Sequence, residues 1–387
     1  MSPLEDNRIF SWTYDLIAQT FGWPEWLAYV IGGIAVIGVI VNGFLALGTL
    51  FTYLERRWVG RFQSRIGPNR AGPFGILQAI ADAVKLLFKE DIVPRRADRL
   101  LFNAAPIVML APSVMALAVI PFGYQSFVAD LNIAVLYVVA MSGLASLAVM
   151  MAGYSSTNKL ALFGSMRAVA MLVSYEIPLV MALLGVTLLS GSMSMVGIVE
   201  GQTVPYILVA PLAALIFLIS ISAELNRPPF DITEAESELV AGYLTEYSGM
   251  KFGVFYLAEF SNVVLAGAIF AVLFLDGWKG PFLPSHLWFL IKVFAFMLTA
   301  SWVRATLPRL RIDQVLALAW KYLLPLSLVN LIVLAVEAIA WQDPTTMELW
   351  TMVAINWVVA IAAVPTLSLV VNLRTRPQRA GFAEEAR

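Results

Sequence analysis

The chain has 387 residues, of which 60% are hydrophobic and only 13% charged, with a formal net charge of −1. Charged residues make up about a quarter of an ordinary soluble domain; their scarcity here, together with repeated apolar runs of about twenty residues, makes this a polytopic, all-α membrane protein. The chain has no cysteine and a single histidine, His286, which excludes iron–sulfur clusters, thiolate zinc sites, disulfides and any histidine cluster for haem or a metal. Neither a Gly-x-Gly-x-x-Gly fingerprint nor a phosphate-binding P-loop is present, so any redox cofactor belongs in another chain.

Residues 1–26 lack the basic start and apolar run of a signal peptide. Trp12, Tyr14, Phe21, Trp23 and Trp26 suggest instead a segment lying at the membrane interface. The first span is predicted at Leu27–Tyr53, where Gly32, Gly33, Gly38, Gly43 and Gly48 permit close helix packing. A polar connection, residues 54–99, follows; it opens ERRWVGRFQSRIGPNRAGP and turns at Gly67-Pro68-Asn69. Phe74–Glu90 then reads as a helix on which Gln78, Asp82, Lys85 and Lys89 form one narrow polar stripe, a pattern suited to the interface or to a polar seam inside a bundle. Further spans are predicted near Leu100–Phe122, Ile133–Gly153, Ala168–Ser190, Pro205–Ala223, Phe255–Asp276, Leu287–Leu307, Val315–Ala340 and Met347–Leu373. With the first they make about nine transmembrane helices in a single membrane domain, 1–387, with amphipathic helices on the cytoplasmic side.

Twenty-one of the 25 basic residues fall in alternate connections, namely 54–99, 155–167, 224–251, 304–311 and the tail after Leu373. Arg8 and Lys279 lie on the other side, while Lys292 and Lys321 fall within spans. By the positive-inside rule the N-terminus is outside and the C-terminus cytoplasmic, in the cell's inner (plasma) membrane, with both large charge clusters facing the cytoplasm.

Three constellations carry candidate chemistry. Glu55-Arg56-Arg57, with Arg61 and Arg65 beyond, ends the first span; Arg57 and Arg61 read as positive-inside anchors, but an anchor does not need a carboxylate at Glu55. Glu176, two residues before Pro178, lies well inside an apolar run, where a carboxylate is costly and is a functional candidate by default; Lys292 is a similar case. Glu337 lies near the outer end of its span, where it can reach water. The third constellation is Ala223–Phe260, AELNRPPFDITEAESELVAGYLTEYSGMKFGVFYLAEF, which holds seven of the 26 acidic residues. A charge run is ordinarily a solvated loop, and this segment contains the acidic third cytoplasmic loop, residues 224–254. Phe230, Ile232, Leu239, Val240, Tyr243, Leu244 and Tyr247, however, supply enough apolar surface to pack it against something. Arg227-Pro228-Pro229 ends the preceding helix. If the next part is helical, Glu234, Glu238 and Glu246 share or neighbour one face, and Glu259 falls in the first turns of the following span. Crowded carboxylates repel one another and can hold or pass protons.

ERRWVGRFQSRIGPNRAGPFGILQAIADAVKLLFKED resembles the first cytoplasmic loop of one membrane-subunit family of NADH-quinone oxidoreductase, respiratory complex I, the family known in mitochondria as NADH dehydrogenase subunit 1. AELNRPPFDITEAESELVAGYLTEYSGMKFGVFYLAEF resembles that family's third loop, and SWVRATLPRLRIDQVLALAWKYLLPLSL its late signature; the likeness runs from about Leu27 to Ala340. The resemblance implies an eight-span core and a quinone chamber closed by soluble partner subunits, beside the membrane-arm subunits and lipid, with quinone as substrate and no nucleic-acid partner. It implies quinone-chamber charges at Glu55, Arg56, Arg61, Asp231, Glu234, Glu236 and Glu246. A proton-coupling path would run through Asp82, Glu176, Glu224, Glu234 and Glu259, with Lys292 as a further intramembrane charge. The ninth span, 347–373, departs from the eight-span pattern as a C-terminal extension. The reading is thus an energy-coupling subunit of a proton-translocating oxidoreductase. Two alternatives stand beside it: the membrane anchor of a hydrogenase-type complex, and a self-contained ion transporter.

Overall fold

The computed structural model of the chain describes residues 8–21, 24–232, 240–341 and 346–375. Seven helices are long and apolar enough to cross a membrane, and Pro211–Glu224 and Met347–Ala363 are shorter apolar helices among the described residues. The protein is a multi-pass helical bundle.

Helix α1 (Arg8–Phe21) is amphipathic and folds back on α2 (Glu25–Phe62). Phe10 is its buried contact, set edge-on to Tyr29 at 5.0 Å and lying over Gly32. Helix α2 has 38 residues; at about 1.5 Å per residue it is roughly 57 Å long, well beyond a hydrocarbon core of about 30 Å. Its last turns therefore carry Glu55, Arg56 and Arg57 past the first predicted span as continuous helix.

The predicted helix at Phe74–Glu90 is shorter, α3 (Gln78–Phe88), behind a tight turn at Pro73–Gly75; Lys89 has extended backbone and leaves the polar stripe. Asp98 caps α4 (Arg99–Ala116) by accepting from the Leu100 and Leu101 amides. Helix α5 (Ala134–Ser155) and α6 (Lys159–Ser190) follow. Arg167, expected in a connection, lies on α6, because Asn158 caps the Leu160 amide and starts the helix early. Helix α6 ends at Gly191 with φ 64°, a left-handed conformation that glycine adopts without Cβ strain.

The span predicted at Pro205–Ala223 is broken. A short α7 (Met195–Gly201) precedes it, and α8 (Tyr206–Val209) is separated from α9 (Pro211–Glu224) at Ala210, because Pro211 cannot continue the hydrogen-bond ladder. Helix α10 (Gly249–Phe274) is apolar nearly all round and is buried along most of its length, as such a helix must be. Helix α11 (Ser285–Thr306) leads to α12 (Ile312–Ala340), which has one wider π turn at Leu318–Leu323, and α13 (Thr346–Thr375) closes the described chain.

Lipid tails are as apolar as leucine, so close packing and polar contacts hold membrane helices together. Gly48 of α2 lies against Ser261 of α10, and Gly267 of α10 under Phe296 of α11; a Cβ at Gly48 would stand 3.2 Å from the Ser261 Cα. The third connection is not a solvated loop where it is described. Phe230 and Ile232 belong to the main core, while Tyr243, Leu244 and Tyr247 pack with Phe102, Val149 and Phe255 in a second cluster. Tyr247 stacks on Phe102 at 4.1 Å, and its hydroxyl donates to the Phe102 carbonyl at 3.2 Å. Burial pushes that phenol up to about 12.

Candidate functional site

Glu55 and Arg56, neighbours in sequence, project from α2 in different directions, as the helical turn of about 100° per residue requires. Glu55 points into the bundle and is 4% exposed. Arg227, 5% exposed, donates to both its oxygens at 2.6 and 2.9 Å, and Arg304 at the end of α11 donates to Oε1. Arg227 also lies 3.5 Å from Glu259 of α10 and faces the Phe260 ring at 4.4 Å. This knot joins α2, the turn after α9, α10 and α11, with two carboxylates against two guanidinium groups. Buried charge at such a depth persists only when paired.

Arg56 reaches the other way, to Asp82 of α3 at 2.6 Å, and Gln78 donates to the second Asp82 oxygen at 3.0 Å. Tyr256 of α10 accepts from Arg56 and acts electrostatically on Arg304. Two cavities of about 450 Å³ meet there. One opens between α2, α3 and α10 and is lined by apolar residues such as Leu86, Phe252 and Leu257; the other is bounded by Glu55, Arg304 and Phe260, and both are lined by Arg56 and Tyr256.

A second acidic group lies deeper. Glu224, the last residue of α9, is hydrogen-bonded by Ser142 of α5 and feels the charge of Glu176 on α6. Its Oε2 is enclosed without a hydrogen-bond partner. The Glu176 carboxyl lies against Gly143 of α5; a Cβ there would stand 2.9 Å from Oε1. A mostly apolar cavity beside Glu224, walled by residues such as Leu179, Phe217 and Ile269, also takes in Ser113, Asn262 and Ser142, and Ser113 donates to Asn262. Only Leu225 and Asn226 separate Glu224 from Arg227, so the knot and the deeper pair are adjacent along the backbone.

The remaining expected residues divide. Asp231 pairs with Arg309 at 2.7 Å, pinning the third connection to the one after α11. Glu246 sits in a turn rather than on the expected helical face, and accepts from Asn158 at 2.7 Å, so its contact is the start of α6 and not the knot. Glu234, Glu236 and Glu238 lie outside the described residues. Arg61 is exposed on the last turn of α2. Arg57 donates to the Tyr53 hydroxyl and the Phe74 carbonyl, holding the turn before α3. Lys292 lies far from the knot: its amine donates to the carbonyls of Gly277 and Lys279 at 2.8 and 2.7 Å, beyond the opposite end of α10. Glu337, expected to reach water, is 3% exposed and accepts from Asn356 of α13, because the extra helix covers it. Tyr256, Arg227 and Arg304 are the site residues that the sequence does not single out as chamber groups.

The family model described as NADH dehydrogenase matches residues 34–335. Among similar chains, the H subunit of the NADH-quinone oxidoreductase of Dehalococcoides mccartyi is 52% identical over 309 residues, covering 80% of this chain and 88% of the relative. The same subunits from Brevibacillus brevis and Geobacillus kaustophilus are 45% identical over 334 residues and 48% over 331, covering 85% and 84% of this chain and 98% of each relative.

Proposed function

This chain belongs to the NADH dehydrogenase family, and on that premise we propose that it is a membrane subunit of a NADH-quinone oxidoreductase that forms part of the quinone chamber and couples quinone reduction to proton translocation. The observation that carries the reading is the pair of cavities that share Arg56 and Tyr256. A quinone is an apolar ring and tail with two carbonyl acceptors. The apolar gap between α2, α3 and α10 suits the tail, and Arg56 and Tyr256 are donors at the point where a ring would turn toward the charged knot.

Electrons come from a partner subunit, since this chain carries no cysteine for an iron–sulfur cluster. Two electrons and two protons convert the quinone to the quinol. Negative charge developing on the ring near Arg56 and Arg304 competes with Glu55 for the guanidinium groups. Glu55 and Glu259, released in part from Arg304 and Arg227, then attract protons. The change is felt at Glu224, three residues along the chain, and from there at Glu176, through an interior where charges act more strongly than in water. Groups this close share protons as a set. Asp82 belongs to this path at its cytoplasmic end, and Glu234, outside the described residues, is assigned to it from the resemblance of its loop alone. The soluble partners close the chamber over the connections carrying Ile66 and Asp231, with the N-terminus outside, the C-terminus cytoplasmic and the bundle in the plasma membrane, as the split of basic residues supports.

A photoreactive quinone analogue tests the chamber. In the assembled complex it should modify peptides of α2, α3 or α10 around Arg56 and Tyr256, and excess unmodified quinone should abolish the modification. Modification confined to other subunits, or unchanged after the complex is dissociated, contradicts the reading.

A further inference from the structure

Glu337, near the outer end of α12, owes its burial to the C-terminal helix. Asn356 of α13, 3% exposed like Glu337 itself, donates Nδ2 to Glu337 Oε2 at 2.7 Å. The next residue, Trp357, donates Nε1 to the Leu208 carbonyl at 3.1 Å. That carbonyl belongs to α8, and the break at Ala210 removes its helical partner four residues on. Two successive residues of α13 therefore each satisfy a polar group of the bundle, Glu337 in the core and the Leu208 carbonyl at its surface. The helix is built into the fold rather than laid against it.

The carboxyl it covers is incompletely satisfied. Glu337 Oε1 is enclosed and has no hydrogen-bond partner, and none of the salt bridges among the described residues involves Glu337. On the same helix, Lys321 lies more than four turns away toward the cytoplasmic end; on α13, Glu348 lies two turns before Asn356. A carboxylate at membrane depth with one amide donor and no counter-charge is expensive, whereas a carboxylic acid there is not. We propose that Glu337 is a proton-binding site in its own right, a carboxylic acid that holds its proton in the closed seam between α12 and α13, separate from the Glu176–Glu224 pair. Asn356 is its positioning residue, and the ligand of the site is the proton. The site stands apart from the quinone reading, since it uses neither the knot nor the cavities beside it.

Two carbodiimides test it in membranes holding the assembled complex. A protonated carboxylic acid adds across a carbodiimide C=N bond, and the O-acylisourea rearranges to a stable N-acylurea with every atom retained. Dicyclohexylcarbodiimide, which partitions into lipid, should modify Glu337 at neutral pH, read by mass spectrometry of the peptide spanning residues 324–340. A water-soluble carbodiimide should modify it several-fold less. The double variant Asn356→Ala, Trp357→Ala, which loosens α13, should raise modification by the water-soluble reagent. No modification by the lipid-soluble reagent, or equal modification by both in the unaltered protein, overturns the proposal.

Discussion

Arg227 donates to both oxygens of Glu55 although 172 residues separate them, and this contact ties the turn after α9 to the C-terminal part of α2. Both side chains are buried, so removing one leaves a charge without its partner. Arg227→Met should reduce the amount of assembled complex, with a loss on the order of 3–5 kcal/mol in the stability of the subunit. The double variant Glu55→Gln, Arg227→Met should recover much of the assembly but not the quinone turnover. Immunoblots of native gels, beside turnover per complex, separate the two effects. Equal assembly of Arg227→Met and the unaltered protein would remove the pair from the account.

Tyr256 touches Arg56, acts on Arg304 and lines both cavities. Tyr256→Phe keeps the ring and removes the donor. It should raise the KM for quinone several-fold and leave assembly unchanged. A KM that stays fixed while complex levels fall would make Tyr256 a packing residue only.

The third connection is anchored through Tyr247. Tyr247→Phe strands the buried Phe102 carbonyl and should lower stability by about 1–3 kcal/mol. Because the folded phenol stays neutral up to about 12, above the ordinary value of about 10, the stability its neutral form contributes is fully present below pH 10 and is lost only as pH rises from there toward 12. Melting curves of the variant and the unaltered complex should therefore run parallel between about pH 6 and 9. A difference that changes with pH in that window would contradict the assignment.

Gly164 of α6 meets the Gly242 backbone; a Cβ there would stand 2.8 Å from the Gly242 Cα. Backbone cannot swing aside as a side chain can, so Gly164→Val should displace the third connection and abolish quinone turnover while Gly33→Val, in open space on α2, leaves it intact. Equal turnover in the two variants would show that the connection tolerates the shift.

Much of the bundle is legible in the sequence because apolar length is written directly into the chain: α2, α4, α5, α10 and α11 stand where their runs predict. Glu55, Asp82, Glu176, Glu224 and Glu259 stand out for the same reason, since a carboxylate in or beside an apolar run advertises its cost. Their pairings are not legible. Glu55 meets Arg304 across 249 residues and Arg227 across 172, and no local pattern encodes such distances. Glu55 and Arg56 are neighbours in sequence, and helical geometry sends them to different partners. Glu246, expected on a helical face, sits in a turn on Asn158, because the chain there folds as one short helical turn at Gly242–Leu244. Glu337 is expected in water because its depth can be counted along α12, whereas the helix that covers it arrives later in the chain.

Quinone reduction near Arg56 is, in this account, linked to the carboxyl groups of Glu224 and Glu176. Glu224→Gln tests that link most directly, since glutamine keeps size and hydrogen bonding but cannot ionise. NADH-driven quinone turnover and proton uptake should be measured in membranes carrying Glu224→Gln or the unaltered chain, each normalised to assembled complex. The account predicts that both quantities fall together, with assembly intact. Normal turnover with normal proton yield per complex would contradict it.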